Sequence, residues 1–477
     1  MRKHSKFNNN RKTINDILKV SVSNIAILLS GVLLGFLLPK VIGVTDYGYY
    51  KTYTLYTTYI GMFHFGIVDG IYLKYGGKDY KDLEKEKFRF YSMAFACIEL
   101  CIAAILVIIT LFFFKEELKF IFIFLSIYLL FHNITSYYQG ISQATSRFIE
   151  LSRRNIIQSI LVSISVISLW IVHEFYNIYI TYRTYTVIYT VIVIILAFWY
   201  VFTYREITFG KKSEFLSQWR DIPVFIASGV PLMVANLCSS LILTLDRQFV
   251  NLLFDTDTYA IYAFAYNMLS LITTAMSAIA TVLYPKLRRT DEKTLHNSYA
   301  KLINAVLVLV YGGLLIYFPL GIFVNWFLPK YSESLIIFRI IFPGLAISSA
   351  ITIVMHNYYK TLGLNFAFFI KSIIALVVSG FANFLVYHMF HTAAAISIAS
   401  IITMLFWYVM IEIYFVRKYN VKWFKNFTYL VLLMILFYII TIIKNYYLGF
   451  IIYAMSYICI TLLFNMKEIQ LLRKKKY

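Results

Sequence analysis

Arg183, Arg247 and Arg339 fall inside apolar stretches long enough to cross a bilayer, and Lys74 and Lys371 lie near the ends of two others. A charge placed in hydrocarbon costs roughly 2.5–3.5 kcal/mol on insertion scales, so such residues face a cavity, a partner or the interface. Together these five cations are candidate substrate-binding residues that would mark the route of an anionic headgroup. For Arg183 and Arg339 the competing reading is snorkelling to the outer interface; for Arg247 it is a structural pair with a carboxylate. Asp69, Glu99 and Asp246 are candidate ion-coupling residues, carriers of a proton or sodium ion, against the alternative of a protonated carboxyl in a structural hydrogen bond. Neighbours on a helix point about 100° apart, so Asp246 and Arg247 need separate polar surroundings. Glu412 lies near a stretch end, where the interface alone would explain it.

No bond-breaking chemistry is legible. Gly210-Lys211-Lys212-Ser213 lacks the upstream glycine of a phosphate-binding loop, and no HExxH pair occurs. Cys97, Cys101, Cys238 and Cys459 all fall in apolar stretches without zinc-ligand spacing. The sequence therefore offers no catalytic residue, metal site or cofactor site. Tyr49, Tyr53 and Tyr56 share one face of the second stretch. Aromatic faces can stack on sugar rings, although an interfacial tyrosine belt is the commoner arrangement. His64 and His132, both mid-stretch, read as packing residues rather than proton relays.

The elements that must position these residues are membrane helices. The chain is 60% apolar and only 14% charged, against about a quarter charged for soluble domains. Stretches of the roughly 20 apolar residues a span needs recur about fourteen times, near 14–38, 47–73, 89–113, 118–143, 155–173, 178–203, 222–250, 259–284, 300–320, 334–358, 364–388, 393–416, 427–444 and 447–464. The first is too long for a signal peptide and lacks a small-residue cleavage site.

Basic residues crowd every second connection: Met1 to Lys19, Lys74 to Arg89, Arg147 to Arg154, Arg205 to Arg220, Lys286 to Lys301, Lys360 to Lys371, Arg417 to Lys425 and the tail from Lys467. The alternate connections hold only Lys40, Lys51, Lys115, Lys119, Lys330 and Lys444. The positive-inside rule then places both termini in the cytoplasm. The net charge of +21 faces anionic headgroups, which removes the case for nucleic-acid binding.

The expected fold is an all-α polytopic membrane protein of about fourteen transmembrane helices in two parallel six-helix bundles plus two C-terminal helices. A shift of 212 positions pairs Val22 with Val234, Asn24 with Asn236, Leu29 with Leu241, Leu33 with Leu245, Tyr47 with Tyr259 and Tyr50 with Tyr262, which supports an internal repeat. The expected divisions are 1–218 for the first bundle, 219–418 for the second and 419–477 for two added helices with a basic tail. Six spans per half make the repeats parallel, with a central cavity expected between them.

Short motifs carry a resemblance. Leu38-Pro39-Lys40-Val41-Ile42-Gly43-Val44-Thr45-Asp46-Tyr47-Gly48, Gly229-Val230-Pro231-Leu232, Leu245-Asp246-Arg247, Gly380-Phe381-Ala382-Asn383 and His391-Thr392-Ala393-Ala394-Ala395-Ile396 together resemble the Wzx-type polysaccharide flippases. That family belongs to the superfamily of multidrug exporters and lipid II flippases. The resemblance covers residues 11 to about 464. It implies alternating-access export of an undecaprenyl-pyrophosphate-linked oligosaccharide across the bacterial cytoplasmic membrane, for capsule, O-antigen or another envelope polysaccharide. Membrane lipids, a polysaccharide polymerase and chain-length machinery are the partners it implies.

Such a cargo needs a wet path, because each unpaired hydroxyl entering hydrocarbon costs about 4–8 kcal/mol. An inside-negative potential favours outward movement of an anion by about 2.3 kcal/mol per charge per 100 mV. Two alternatives stand beside this reading: a cation-coupled multidrug antiporter of the same superfamily, and a membrane polysaccharide polymerase. The first apolar stretch has no ionisable residue from Val20 to Leu38, unlike many multidrug exporters. No large loop or cytoplasmic domain is present to hold a polymerase site.

Overall fold

A polypeptide in lipid must satisfy its backbone hydrogen bonds internally, and helices do so within one segment. The computed structural model describes residues 2–211, 218–288, 290–419 and 423–474, and among them it contains helices and no strand. The basic side chains before residue 22 and after residue 466 lie outside the described residues, and with them the charge counts at both termini.

The first unit, Met1–Ser240, contains α1 (Arg2–Val41), α2 (Val44–Thr57), α3 (Ile67–Tyr75), α4 (Lys85–Phe113), α5 (Glu116–Ala144), α6 (Phe148–Tyr176), α7 (Tyr182–Thr203), the short α8 (Arg205–Thr208) and most of α9 (Asp221–Ile242). Helix α1 packs mainly on α6, and α5 is central, touching α2, α3, α4 and α7. Turns are closed by residues that tolerate left-handed backbone: α6 stops at Asn177, φ 53°, whose N–H reaches the His173 carbonyl.

The second unit, Leu241–Tyr477, contains α10 (Leu245–Leu253), α11 (Thr256–Arg288), α12 (Glu292–Gly313), α13 (Tyr317–Phe327), α14 (Ser334–Ile341), α15 (Gly344–Ser349), α16 (His356–Thr361), α17 (Asn365–Phe390), α18 (Ala393–Tyr419), α19 (Trp423–Ile440) and α20 (Tyr446–Lys474). Asp291 caps α12, its carboxylate accepting from the Thr294 N–H at 3.0 Å. The strongest packing pairs α17 with α18, and α11 with α14 and α16.

Eleven described helices are long and apolar enough to span a membrane, and a bent pair, Ser334–Ile341 with Gly344–Thr361 at 42°, makes a twelfth. The protein is thus a multi-pass, all-α membrane protein. Where fourteen continuous spans were expected, several are broken. The stretch 47–73 divides into α2, a 3-10 turn at Ile60–Met62 and α3, with Phe65 and Gly66 both at positive φ, 47° and 76°. The stretch 222–250 divides between α9 and α10 at 243–244. The stretch 334–358 passes through a π-helical segment, Ala350–Met355. Hydropathy registers a continuous apolar run and is blind to these interruptions, which depend on backbone torsions and side-chain anchors.

Candidate functional site

The interruption after α2 gathers most of the first unit's buried polar chemistry. Asn133 of α5 donates through Nδ2 to Glu99 Oε2 at 2.8 Å and to the Ile60 carbonyl at 3.4 Å. Glu99 and Asn133 are both fully buried. Glu99 Oε1 and Asn133 Oδ1 have no hydrogen-bond partner, so two acceptor oxygens lie deep beside a broken helix with no donor. His64 Nδ1 accepts from the Gly66 N–H at 3.1 Å, and its Nε2 is 3.8 Å from Asp69 Oδ2. Broken helices in transporters place freed backbone groups where ions or substrates bind. Two of the three candidate ion-coupling residues, Asp69 and Glu99, therefore flank one interruption, which no spacing in the sequence announced.

Asp246, the third, opens α10 and is buried. Its Oδ2 accepts from Tyr262 at 2.8 Å and from Tyr266, while Oδ1 accepts from the Arg247 backbone N–H at 2.8 Å. Ser397 of α18 extends the network to Tyr262 at 3.3 Å. On α17, Asn383 is fully buried and neither of its amide atoms has a partner. Arg247 turns away, as the helical angle requires: its guanidinium lies over the Tyr266 ring at 4.8 Å and reaches the Leu243 carbonyl at 3.4 Å. Its Nε is buried without a partner. No carboxylate among the described residues lies within 4 Å of its guanidinium.

Arg339 of α14 is half-buried at the edge of a cavity of about 340 Å³ that it shares with Lys444, Asn325, Thr441 and Tyr446. Its one hydrogen bond is to the Thr441 carbonyl at 3.5 Å. The remaining cations are engaged. Arg183 pairs with Glu117 at 2.8 Å, Lys74 with Asp221 at 3.0 Å, and Lys371 donates to the Tyr359 hydroxyl at 2.8 Å. Lys74 and Arg183 belong to the first unit and the other three to the second. The Arg183–Glu117 pair is solvent-exposed, at 48% and 34% of the side chains, and exposed pairs contribute about 0–1 kcal/mol. Arg183→Ala is accordingly expected to leave the melting temperature of the purified protein essentially unchanged; a clear fall would contradict a screened surface pair.

Two other expectations change. Tyr53 is fully buried, its hydroxyl 3.2 Å from Thr190 Oγ1, and Tyr50 packs edge-on to Tyr185 at 5.1 Å. Of the three tyrosines on one face of the second stretch, Tyr53 is core packing within the first unit, while Tyr49 and Tyr56 are half-buried. Glu412 is buried, accepting from Tyr299 at 2.5 Å, and is not interfacial; a polar network, unlike a hydropathy window, draws it inward. The motif after α1 is a clamp: Asp46 accepts from the Tyr179 hydroxyl at 2.5 Å and the Tyr182 N–H at 2.9 Å. That bond holds the Tyr179 phenol above its usual pKa. Gly43 leaves the room, since a Cβ there would meet the Tyr179 oxygen at 3.0 Å.

The sequence profile of the family described as "Polysaccharide biosynthesis protein" matches residues 13–291. Among curated protein sequences none matches. Solved structures of the same fold include a lipid II flippase MurJ in an inward closed conformation, with a TM-score of 0.70 at 13% identity over 96% of this chain and 100% of that one. A multidrug resistance MATE family transporter of the MOP superfamily, inward-facing, gives 0.62 at 13% identity over 85% and 98%. A MOP superfamily transporter from Pyrococcus furiosus Vc1 gives 0.53 at 11% identity over 85% and 95%. The fold is thus shared with proteins described as a lipid II flippase and as multidrug and MOP superfamily transporters.

Proposed function

The chain belongs to the polysaccharide biosynthesis protein family, and from that premise we propose that it is a flippase carrying an undecaprenyl-pyrophosphate-linked oligosaccharide from the inner to the outer leaflet of the bacterial cytoplasmic membrane. The product would feed capsule, O-antigen or another envelope polysaccharide, with a polymerase and chain-length machinery downstream. The observation that carries this reading is the family match over more than half the chain, 13–291, joined to two half-buried cations, Arg247 and Arg339, with no carboxylate within 4 Å among the described residues. Arg247 and Arg339 are the cations best placed to meet an anionic headgroup; Lys74, Lys371 and Arg183 would exchange their present partners to do so. Movement by alternating access would let the lipid tail stay in the bilayer while the sugars cross a polar path.

Asp246 and Glu99 are the favoured coupling carboxylates, with Asp69 third. Each of the first two is buried beside a helix interruption, where a change of charge or bound ion alters local geometry. A cation-coupled multidrug antiporter remains the second reading, because one of the structures sharing the fold is such a transporter. Native mass spectrometry of the purified protein separates the two. The flippase reading expects retention of undecaprenyl-pyrophosphate oligosaccharide and no retention of ethidium; the opposite preference would overturn it.

A further inference from the structure

Arg154 sits at the end of a charge-rich connection in the sequence, yet α6 begins at Phe148, which puts it in the second turn, about 9 Å along the helix at 1.5 Å per residue. It is 9% exposed. Its neighbour Arg153 behaves as a surface residue should, 64% exposed and 3.3 Å from Glu150. Arg147 takes a second contact with the same carboxylate at 3.6 Å. Glu150, one helical turn before Arg154, is thus committed elsewhere, and among the described residues no carboxylate lies within 4 Å of the Arg154 guanidinium. Its one hydrogen bond is a long contact from Nη1 to Asn155 Oδ1, 3.4 Å, and its Nε is buried without a partner.

A lone buried guanidinium is costly unless something supplies negative charge, and the snorkelling that rescues long cations is what Arg153 does and Arg154 does not. The surroundings are rich in donors. Tyr128, Tyr189 and Tyr200 lie within electrostatic reach of the guanidinium, and the buried Tyr200 hydroxyl also has no partner. Flat aromatic faces run beside them: His132 on Tyr128 at 4.9 Å and Tyr128 on Tyr189 at 6.0 Å, both interplanar angles 15°. His132, Gln158 and Tyr189 are only half-buried.

We propose that Arg154, with the hydroxyls of Tyr128, Tyr189 and Tyr200, is an oxyanion-binding site within the first unit that takes a phosphate or carboxylate of the transported lipid-linked saccharide. The planar guanidinium fork matches both groups in bidentate geometry, and the rings offer stacking faces for a sugar. The inference rests on the flippase reading for the identity of the cargo, though the anion chemistry stands on the site itself. Two sources share that chemistry: the pyrophosphate of the carrier and the carboxylate of an acidic sugar.

The test is binding to the purified full-length protein in lipid nanodiscs, by isothermal calorimetry and thermal unfolding, with inorganic pyrophosphate and with glucuronate as separate probes. Wild type is expected to bind at least one probe; Arg154→Gln is expected to weaken it by at least tenfold, Arg154→Lys and Tyr200→Phe by several-fold. Preference for pyrophosphate assigns the site to the carrier, and preference for glucuronate assigns it to the sugar. Should Arg154→Gln fail to fold, the Lys and Phe variants decide. Failure of both probes to bind wild type, or equal binding across the variants, overturns the site. If lipid-linked oligosaccharide is still flipped in that case, only this inference falls; if flipping is also absent, the functional reading falls with it.

Discussion

Gly229→Ala is expected to destabilise the first unit severely and abolish transport. An added Cβ at Gly229 would lie 1.9 Å from the Gly66 carbonyl oxygen and 2.6 Å from the Gly70 nitrogen. Both obstacles are backbone, so no side-chain rotation relieves them. The approach is reciprocal: a Cβ at Gly70 would meet the Phe225 carbonyl oxygen at 2.2 Å, and one at Gly66 would meet the Val230 nitrogen at 2.4 Å. Gly66 also adopts φ 76°, which costs an L-residue about 1–2 kcal/mol in addition. Small residues that let two helix backbones touch are the usual glue of membrane packing. Overpacking typically costs about 1–3 kcal/mol and more where nothing can shift, so a loss of about 3 kcal/mol or more is expected, roughly 6–12 °C in melting temperature for a unit of this size. Gly61→Ala is the control, because a Cβ there meets nothing within 4 Å. If Gly229→Ala melts and transports like Gly61→Ala, α3 and α9 do not pack as described.

The second large effect falls at Asp246. Asp246→Ala removes the acceptor shared by Tyr262, Tyr266 and the Arg247 N–H. Each buried donor left unpaired costs about 1–3 kcal/mol, so the loss is expected to reach about 3–5 kcal/mol and to prevent stable accumulation. Asp246→Asn separates structure from transport. The amide keeps one acceptor oxygen and the same volume, so the protein is expected to fold with a smaller loss than the alanine variant, about 1–3 kcal/mol for the one donor left facing the NH2 group. An amide has no carboxylate charge to neutralise or to hold a cation. Transport is therefore expected to fall more than tenfold and to lose its response to an imposed proton or sodium gradient. Wild-type transport with an intact gradient response in Asp246→Asn would reduce Asp246 to a scaffold residue.

Much of this was legible in the sequence because membrane insertion is written in composition. Long apolar runs, alternating basic connections and motif order specified an all-α multi-pass chain and its family, since lipid leaves few alternatives to the helix. The interruptions were hidden. Nothing in Tyr59–Phe65 signals a break to a hydropathy window, because the break depends on positive φ at Phe65 and Gly66, on the His64 ring accepting from the Gly66 N–H and on Asn133 of α5 reaching the Ile60 carbonyl. Burial of individual polar residues was equally hidden. Glu412 and Arg154 lie near the ends of apolar runs, where sequence cannot distinguish a side chain reaching water from one turned inward, and both turn inward. Asp246 and Arg247 were partly legible, because helical geometry alone forced them apart; the tyrosines that receive Asp246 come one and two turns into the next helix.

Translocation itself is read by a flipping assay in proteoliposomes. Purified protein is reconstituted with a fluorescent undecaprenyl-pyrophosphate oligosaccharide, and inner-leaflet label is followed as it becomes accessible to a membrane-impermeant quencher. Quenching of nearly all label is expected with wild type, and of only the outer-leaflet half with protein-free vesicles or, over the same time, with Asp246→Asn. Wild-type vesicles that stay at the outer-leaflet half while moving a cationic drug would contradict the flippase reading.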